Sequence, residues 1–257
     1  MSRRATLAAL ALSALGTAPS AQAAPQDWTV EVGAAARTRP AHLGSNQYVV
    51  EALPILEATF GDAISVSLDD GAKWRALTKG PLRFGPIVEY RQSFNDHQPP
   101  GAFRMSDAVE LGGFGELMTP IGLGEVRLRR AVNGYQGWSG DLSFSTGAPV
   151  TPKLTLGGQA RISWADSNFT QEYFGLRPHA AHSFGLPRFL DEDFVSAGAE
   201  FDAARELTSH TRLVLALSAD RIIGELPASP LFTSRNIFTA SLGLTYRWSA
   251  GLRGRRP

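Results

Sequence analysis

His179 and His182 have the H-x-x-H spacing of a zinc pair. Zinc needs more ligands than two imidazoles, and the acidic run downstream begins only at Asp191. Acyl transfer would need a serine, a histidine and a polar group to orient the histidine. The chain offers His182-Ser183 and Ser209-His210, but neighbouring side chains diverge on an extended backbone. Asp191, Glu192 and Asp193 have the charge for calcium binding or acid–base work, and read more simply as a solvated loop edge. Gly112-Gly113-Phe114-Gly115 lacks the Lys-Ser/Thr and the helix of a phosphate loop; small residues on a curved strand account for it. With no cysteine in 257 residues, thiolate chemistry and disulfides are excluded. No catalytic, cofactor or metal site is therefore expected.

The elements that hold these residues say more. There are 25 basic and 24 acidic residues, which argues against a nucleic-acid binder. A hydrophobic share of 43% is too high for a disordered chain. No apolar run reaches the length of a transmembrane helix. What remains is a soluble globular protein or a membrane β-barrel.

The first 23 residues read as a cleavable signal peptide. Arg3 and Arg4 form a positive start, Ala5–Gly16 is a compact apolar stretch, and Ala21-Gln22-Ala23 has the small-x-small form of a cleavage site. Cleavage is expected after Ala23. The Arg pair resembles a twin-arginine signal, but Phe-Leu-Lys does not follow it, and a barrel must cross unfolded. Loss of this segment removes two arginines and no acid, so the net charge becomes −1.

The mature chain alternates with period two. In Lys153–Trp164, Leu154, Leu156, Gly158, Ala160, Ile162 and Trp164 alternate with polar or small residues, which a strand separates and a helix mixes. Asn236–Trp248, Trp28–Arg37, Leu82–Arg91, Trp138–Gly147 and Ser209–Ile222 repeat the pattern. Soluble sandwiches alternate too. Three features favour the membrane. The segments are about 10–14 residues long, against about 5–6 for a soluble strand. The polar face carries Glu31, Glu51, Glu57, Arg83, Glu89, Glu110, Arg127, Arg129, Asp141, Arg161, Glu200, Arg212, Asp220 and Arg247, while the apolar face carries almost no charge. Short and long connections alternate, as they do between the two ends of an outer-membrane barrel.

Counting these joins, with a tight hairpin turn at Asp69-Asp70-Gly71, predicts an all-β, antiparallel transmembrane β-barrel. About twelve strands are expected, with ten as the alternative because the hairpin at Ala63–Leu77 is short. An even count puts both termini in the periplasm. Tyr48, Tyr90, Trp138 and Trp164 then fall at the outer rim, and Trp28, Phe60, Tyr246 and Trp248 at the inner one, forming two aromatic girdles. The division is residues 1–23 signal peptide, 24–248 barrel, and 249–257 a basic periplasmic tail with Arg253, Arg255 and Arg256 as candidate periplasmic contacts.

Several stretches make the chain similar to the MipA/OmpV family of outer-membrane barrels. They are Leu43–Phe60, Arg83–Arg91, Ala108–Gly115, Gly140–Ser145, Ser163–Gly175 and Ser241–Trp248. The most specific is a loop motif made by Trp164, Ala165, Asp166, Gln171, Tyr173, Phe174 and Gly175. Gly243, Tyr246 and Trp248 in the last strand resemble the signal read by the barrel-assembly machinery. Here the final aromatic is Trp where Phe is common, and nine residues follow it. The resemblance implies a non-enzymatic scaffold in outer-membrane lipid that links a murein hydrolase, the lytic transglycosylase MltA, to a penicillin-binding murein synthase in peptidoglycan assembly. It brings no catalytic residues and no cofactor. A narrow channel for small solutes or antibiotics is the alternative, because the inward charges can either pair into a plug or line a hydrated pore.

The protein is expected to fractionate with the outer membrane and to show heat-modifiable migration, since closed barrels resist detergent until boiled. Recovery as a soluble periplasmic monomer would contradict this assignment.

Overall fold

The computed structural model describes residues 28–185, 187, 189–224 and 229–250. Ala21, Ala23, Arg253, Arg255 and Arg256 lie outside these residues.

Thirteen β-segments form one antiparallel sheet. They are β1 (Trp28–Pro40), β2 (Tyr48–Phe60), β3 (Ile64–Ser67), β4 (Gly71–Trp74), β5 (Leu77–Lys79), β6 (Leu82–Arg91) and β7 (Ala108–Thr119). The rest are β8 (Gly122–Ala131), β9 (Trp138–Thr151), β10 (Leu154–Ala165), β11 (Phe194–Glu206), β12 (Thr211–Ile222) and β13 (Asn236–Ala250). Consecutive strands are neighbours, and β1 also pairs with β13 from Trp28↔Ala250 to Thr38↔Ala240. β4 and β5 lie end to end against β6, so the thirteen segments make twelve staves and the ring closes. Ten strands is excluded, because the short hairpin β3–β4 stands in the wall.

Alternation follows the sequence. On β13, Phe238, Leu242, Leu244, Tyr246 and Trp248 are exposed on the outer face, whereas Thr245 is buried inside. On β7, Glu110, Phe114 and Glu116 are buried inside and Leu111 and Leu117 exposed outside. An apolar outside around a polar inside is the reverse of a soluble protein, and it suits hydrocarbon. The turns joining β5 to β6, β7 to β8 and β9 to β10 are two residues long; Gly80 makes the first of them at φ +60. These lie at one rim with Trp28, Phe60 and Trp248, which register pairing brings together. The longer connections lie at the other, with Tyr48, Tyr90 and Trp138. Short turns mark the periplasmic side, so the start of β1 and the end of β13 belong there. At Gly71, φ is +73, the left-handed geometry required by the hairpin turn after Asp69-Asp70.

Two short helices depart from the all-strand reading. Residues expected to form a plain long loop contain α1 (Ser167–Phe174) and α2 (Pro178–Ser183). The loop lies at the outer mouth, where backbone groups need local partners once they leave the ladder, and α1 provides them.

Leu156→Arg puts a charge on the lipid face of β10 between the periplasmic rim and mid-bilayer, where it should cost less than the roughly 2–4 kcal/mol of a midplane site and still reduce assembly. Thr155→Arg, on the lumen face, should assemble nearly normally. The folded fraction on unheated gels measures both, and equal damage would mean the faces are misassigned.

Candidate functional site

Inside the barrel, charges from neighbouring staves pair across the lumen. Near the periplasmic end, Glu31 accepts from Arg212 at 3.1 Å and Arg247 at 3.0 Å, and also from the Thr245 hydroxyl. Lys73 meets Glu125 at 2.8 Å, and Arg75 meets Glu116 at 2.8 Å. Higher up, Arg127 contacts Asp70 at 2.9 Å and also Glu125. Arg129 bridges Glu110 at 2.8 Å and Asp141 at 2.5 Å. Arg161 reaches Asp220 through Nε at 2.9 Å. At the top of β1, Arg37 and Arg39 both bind Glu51.

Glu110 is the hub. It is 0% exposed and accepts from Arg91, Arg129, Ser139 at 2.9 Å and the Tyr135 hydroxyl at 2.6 Å. Burial pushes the Tyr135 phenol above its ordinary pKa. Of the charges expected inward, Arg83 and Glu57 make no ion pair among the described residues. Sequence reasoning missed Lys73, Arg75, Glu116, Glu125 and Arg91 in this network. Parity would have found Glu116 from Glu110 and Glu125 from Arg127, but nothing local announces that the short hairpin contributes a cation.

An apolar cluster adds to the closure. Leu53 and Ile55 of β2 pack with Ala35, Ala204 and Val214 across the lumen. Above it lies a cavity of about 240 Å³ lined by Leu53, Phe94, Arg129, Arg161, Glu200 and Ala216, among others.

α1 roofs the cavity. Asp166 is its N-cap, its side chain accepting from the Phe169 N–H at 3.3 Å, as acidic caps do. The same carboxylate takes the Trp138 N–H at 2.7 Å, tying β9 to the end of β10. Phe169, Tyr173 and Phe174 point down into a cluster with Tyr135, Leu190 and Phe194, with Phe169 and Tyr173 ring centroids 4.2 Å apart. Gln171 Oε1 accepts from the Leu190 N–H at 2.7 Å, and the Gly175 N–H donates to the Gln171 carbonyl at 2.9 Å. Trp164 Nε1 donates to Asp193 at 2.9 Å, and Ala165 is buried. Six of the seven motif residues thus converge on one cap, while Trp164, on the outer face, ties β10 to the loop at Asp193.

The remaining candidates do not converge. His179 and His182 lie on α2, and no group of three metal-ligating side chains occurs among the described residues. Ser209 and His210 correct the sequence reading: they were expected to diverge, yet Ser209 Oγ lies 2.8 Å from His210 Nδ1. The cause is a tight turn in place of extended chain. Both side chains are exposed, and the imidazole stacks on Tyr246 at 5.5 Å. Gly112 lies where an added Cβ would run into the Leu128 carbonyl, a close strand approach. Gly243, Tyr246 and Trp248 lie on β13, with the Tyr246 and Trp248 rings 4.5 Å apart.

The family model for the MltA-interacting protein MipA matches residues 32–248. No curated protein sequence matches. Among solved structures, an outer membrane channel from Pseudomonas putida F1 is similar at 13% identity and TM-score 0.41, covering 90% of this chain and 99% of that one. OmpT, an outer membrane protein of Vibrio cholerae, is similar at 8% identity and TM-score 0.37, with coverage of 86% and 98%. Neisserial surface protein A gives 11% identity and TM-score 0.29, with coverage of 86% and 96%.

Glu110→Gln removes the acid that Arg91 and Arg129 share. Arg129 keeps Asp141 and Arg91 keeps only a longer contact to Glu89 at 3.9 Å; breaking a buried pair costs up to about 3–5 kcal/mol, so the urea midpoint of the folded barrel should fall. Asp166→Ala removes only a cap, worth about 1 kcal/mol, together with the Trp138 contact. It should raise proteolysis within residues 166–193 while the barrel stays resistant. An unchanged urea midpoint in the first, or an unchanged cleavage pattern in the second, would contradict these roles.

Proposed function

The chain belongs to the family of the MltA-interacting protein MipA, and from that premise we propose that it is a non-enzymatic outer-membrane scaffold. In this reading the barrel anchors a lytic transglycosylase and a penicillin-binding murein synthase beside each other at the periplasmic rim, in the service of peptidoglycan assembly. A signal peptide ending at Ala23 delivers it to the envelope, and Gly243, Tyr246 and Trp248 present it to the barrel-assembly machinery.

The observation that supports a scaffold over a narrow channel is the ion-paired lumen. A conducting path would have to part Glu31 from Arg212, Lys73 from Glu125 and Arg75 from Glu116, leaving charges buried without counter-ions. The two- to four-residue turns at that rim offer little surface to a partner. The proposed contact is therefore the tail, with Arg253, Arg255 and Arg256 as permanent positive charges that meet anionic murein or an acidic partner face.

Planar-bilayer recording of the purified protein should show negligible conductance. Co-purification from envelope extracts at low salt, where exposed charges are least screened, should recover a murein hydrolase and a synthase. β13 runs to Ala250 and pairs there with Trp28, so truncation belongs after Ala250. It should leave heat-modifiable migration intact and abolish co-purification. Large, stable channels in the unmodified protein would replace the scaffold with a pore.

A further inference from the structure

Three outer connections meet at one imidazole. His42, in the connection from β1 to β2, is 6% exposed. Its Nδ1 stands 3.1 Å from the carbonyl oxygen of Asp96, in the strap of residues 92–107 between β6 and β7. Its Nε2 stands 3.1 Å from the carbonyl oxygen of Leu231, in the connection between β12 and β13. Leu231 is fully buried with Ala102 of the strap and with Leu176 and Ala181 of the roof loop. The ring also lines the cavity, together with Leu43 and Phe94. It fills the seam where the strap and the last outer connection close over the void.

Both partners are carbonyl oxygens, which only accept. A neutral imidazole donates from one nitrogen and presents a lone pair at the other. Either neutral tautomer therefore satisfies one oxygen and repels the second. Turning the ring over places carbons opposite both. Only the imidazolium, with a donor on each nitrogen, makes the two bonds together. The closed seam is built around a proton.

The charges around the ring are few. From β1, Arg39 donates through Nη1 to the Pro40 and Ala41 carbonyls and through Nη2 to the Asp96 carboxylate at 2.9 Å. That pairing sets the guanidinium against the acid of the strap, and His97 beside it is exposed. Residues 41–47 hold no ionisable group besides His42, and residues 229–234 hold none. Arg235, next in the chain, donates to the Ile222 and Gly224 carbonyls. In the roof loop, Glu172 is half-buried, and Arg177, His179 and His182 are exposed. Among the described residues, none of these groups hydrogen-bonds the ring.

The other polar ties across the seam join the first connection to each neighbour separately. The Asp96 N–H donates to the Ala41 carbonyl at 3.2 Å, and the Thr233 and Ser234 N–H groups donate to the Gly44 carbonyl at 2.8 Å. These bonds keep all three segments in place when the ring lets go of one oxygen. The change is a local parting, with no strand disturbed.

We propose that His42 is a proton-operated latch on the outer mouth. Charged, it draws the strap and the β12–β13 connection together over the cavity; neutral, it releases one of them and opens the seam to external solutes. The closed form holds the extra proton, so acid favours closure and closure is lost as pH rises. The ion-paired floor is untouched, so the cavity opens outward without becoming a channel. The latch is independent of the scaffold role.

The chain has no cysteine, so Thr239→Cys places a single thiol on the cavity wall. The full mature protein, folded in micelles, is treated with a neutral water-soluble maleimide at about pH 5.5 and about pH 8.5, either side of the ordinary imidazole range. Each rate is compared with that of the same cysteine in a His42→Leu background, which removes the thiol's own response to pH. With His42 present, the acid rate should be about tenfold slower than in His42→Leu, as expected for one buried bond, and the alkaline rates should agree within about twofold. His42→Gln, whose single amide nitrogen reaches one carbonyl, should lack the pH dependence too. It replaces His42→Leu if that variant does not assemble, as judged by heat-modifiable migration. Nitrogen-15 spectra of the histidine-labelled protein should show both ring nitrogens of His42 protonated at the acid pH, assigned by their loss in His42→Gln. Equal protection at both pH values would overturn the role of the proton. Absence of protection at either would overturn the latch. A neutral His42 ring in the protected state would overturn the imidazolium.

Discussion

Hydrocarbon offers a backbone no hydrogen bonds, and the architecture follows from that single deprivation. Each N–H and C=O in the bilayer must find another strand, so β1 must meet β13 and the sheet must become a ring. Closure in turn imposes two environments on every strand, one lipid and one enclosed. Leu111 and Glu110, adjacent on β7, show the result: one is 45% exposed toward lipid and the other is fully buried among arginines and hydroxyls. A polar interior is permitted because the outside takes the apolar residues.

An interior this narrow carries its own constraint. A charge on one stave lies within reach of charges on the next two, so an unpaired ion would be costly and a paired one helps to set register. Arg129 illustrates this by joining Glu110 on β7 and Asp141 on β9, the strands on either side of its own. The three strands cannot slip by one residue without turning these groups toward lipid. The ion pairs thus oppose register slippage as well as filling space.

Much of this could be read from residue types. Period two placed Glu31, Glu110, Arg129, Arg161 and Asp220 inside, and the run of short and long joins produced the count of staves. What escaped is instructive. The Leu53-Pro54-Ile55-Leu56 run is apolar on both faces, so alternation could not show that Leu53 and Ile55 point into the lumen. The pairing of Lys73 with Glu125 depends on how far a four-residue strand reaches, which is a property of the assembled wall. Asp166 heads a helix because Phe169, Tyr173 and Phe174 have a cluster to enter, and that cluster exists only once β7, β8, β10, β11 and β12 stand in one ring. Ser209 and His210 touch because a turn bends them together, where a rule for extended chain was applied.

Because the first strand finds its partner in the last, the wall cannot be completed until nearly the whole polypeptide has been exported. Trp28 waits for Ala250, the most distant pairing in the molecule, and contacts of such separation form slowly. Until then β1 and β13 are both open edges, competent to join any other strand. The order of synthesis thus leaves both edges open for most of the protein's maturation. Any chain that terminates before β13 keeps a permanently adhesive edge, and belongs to the protease.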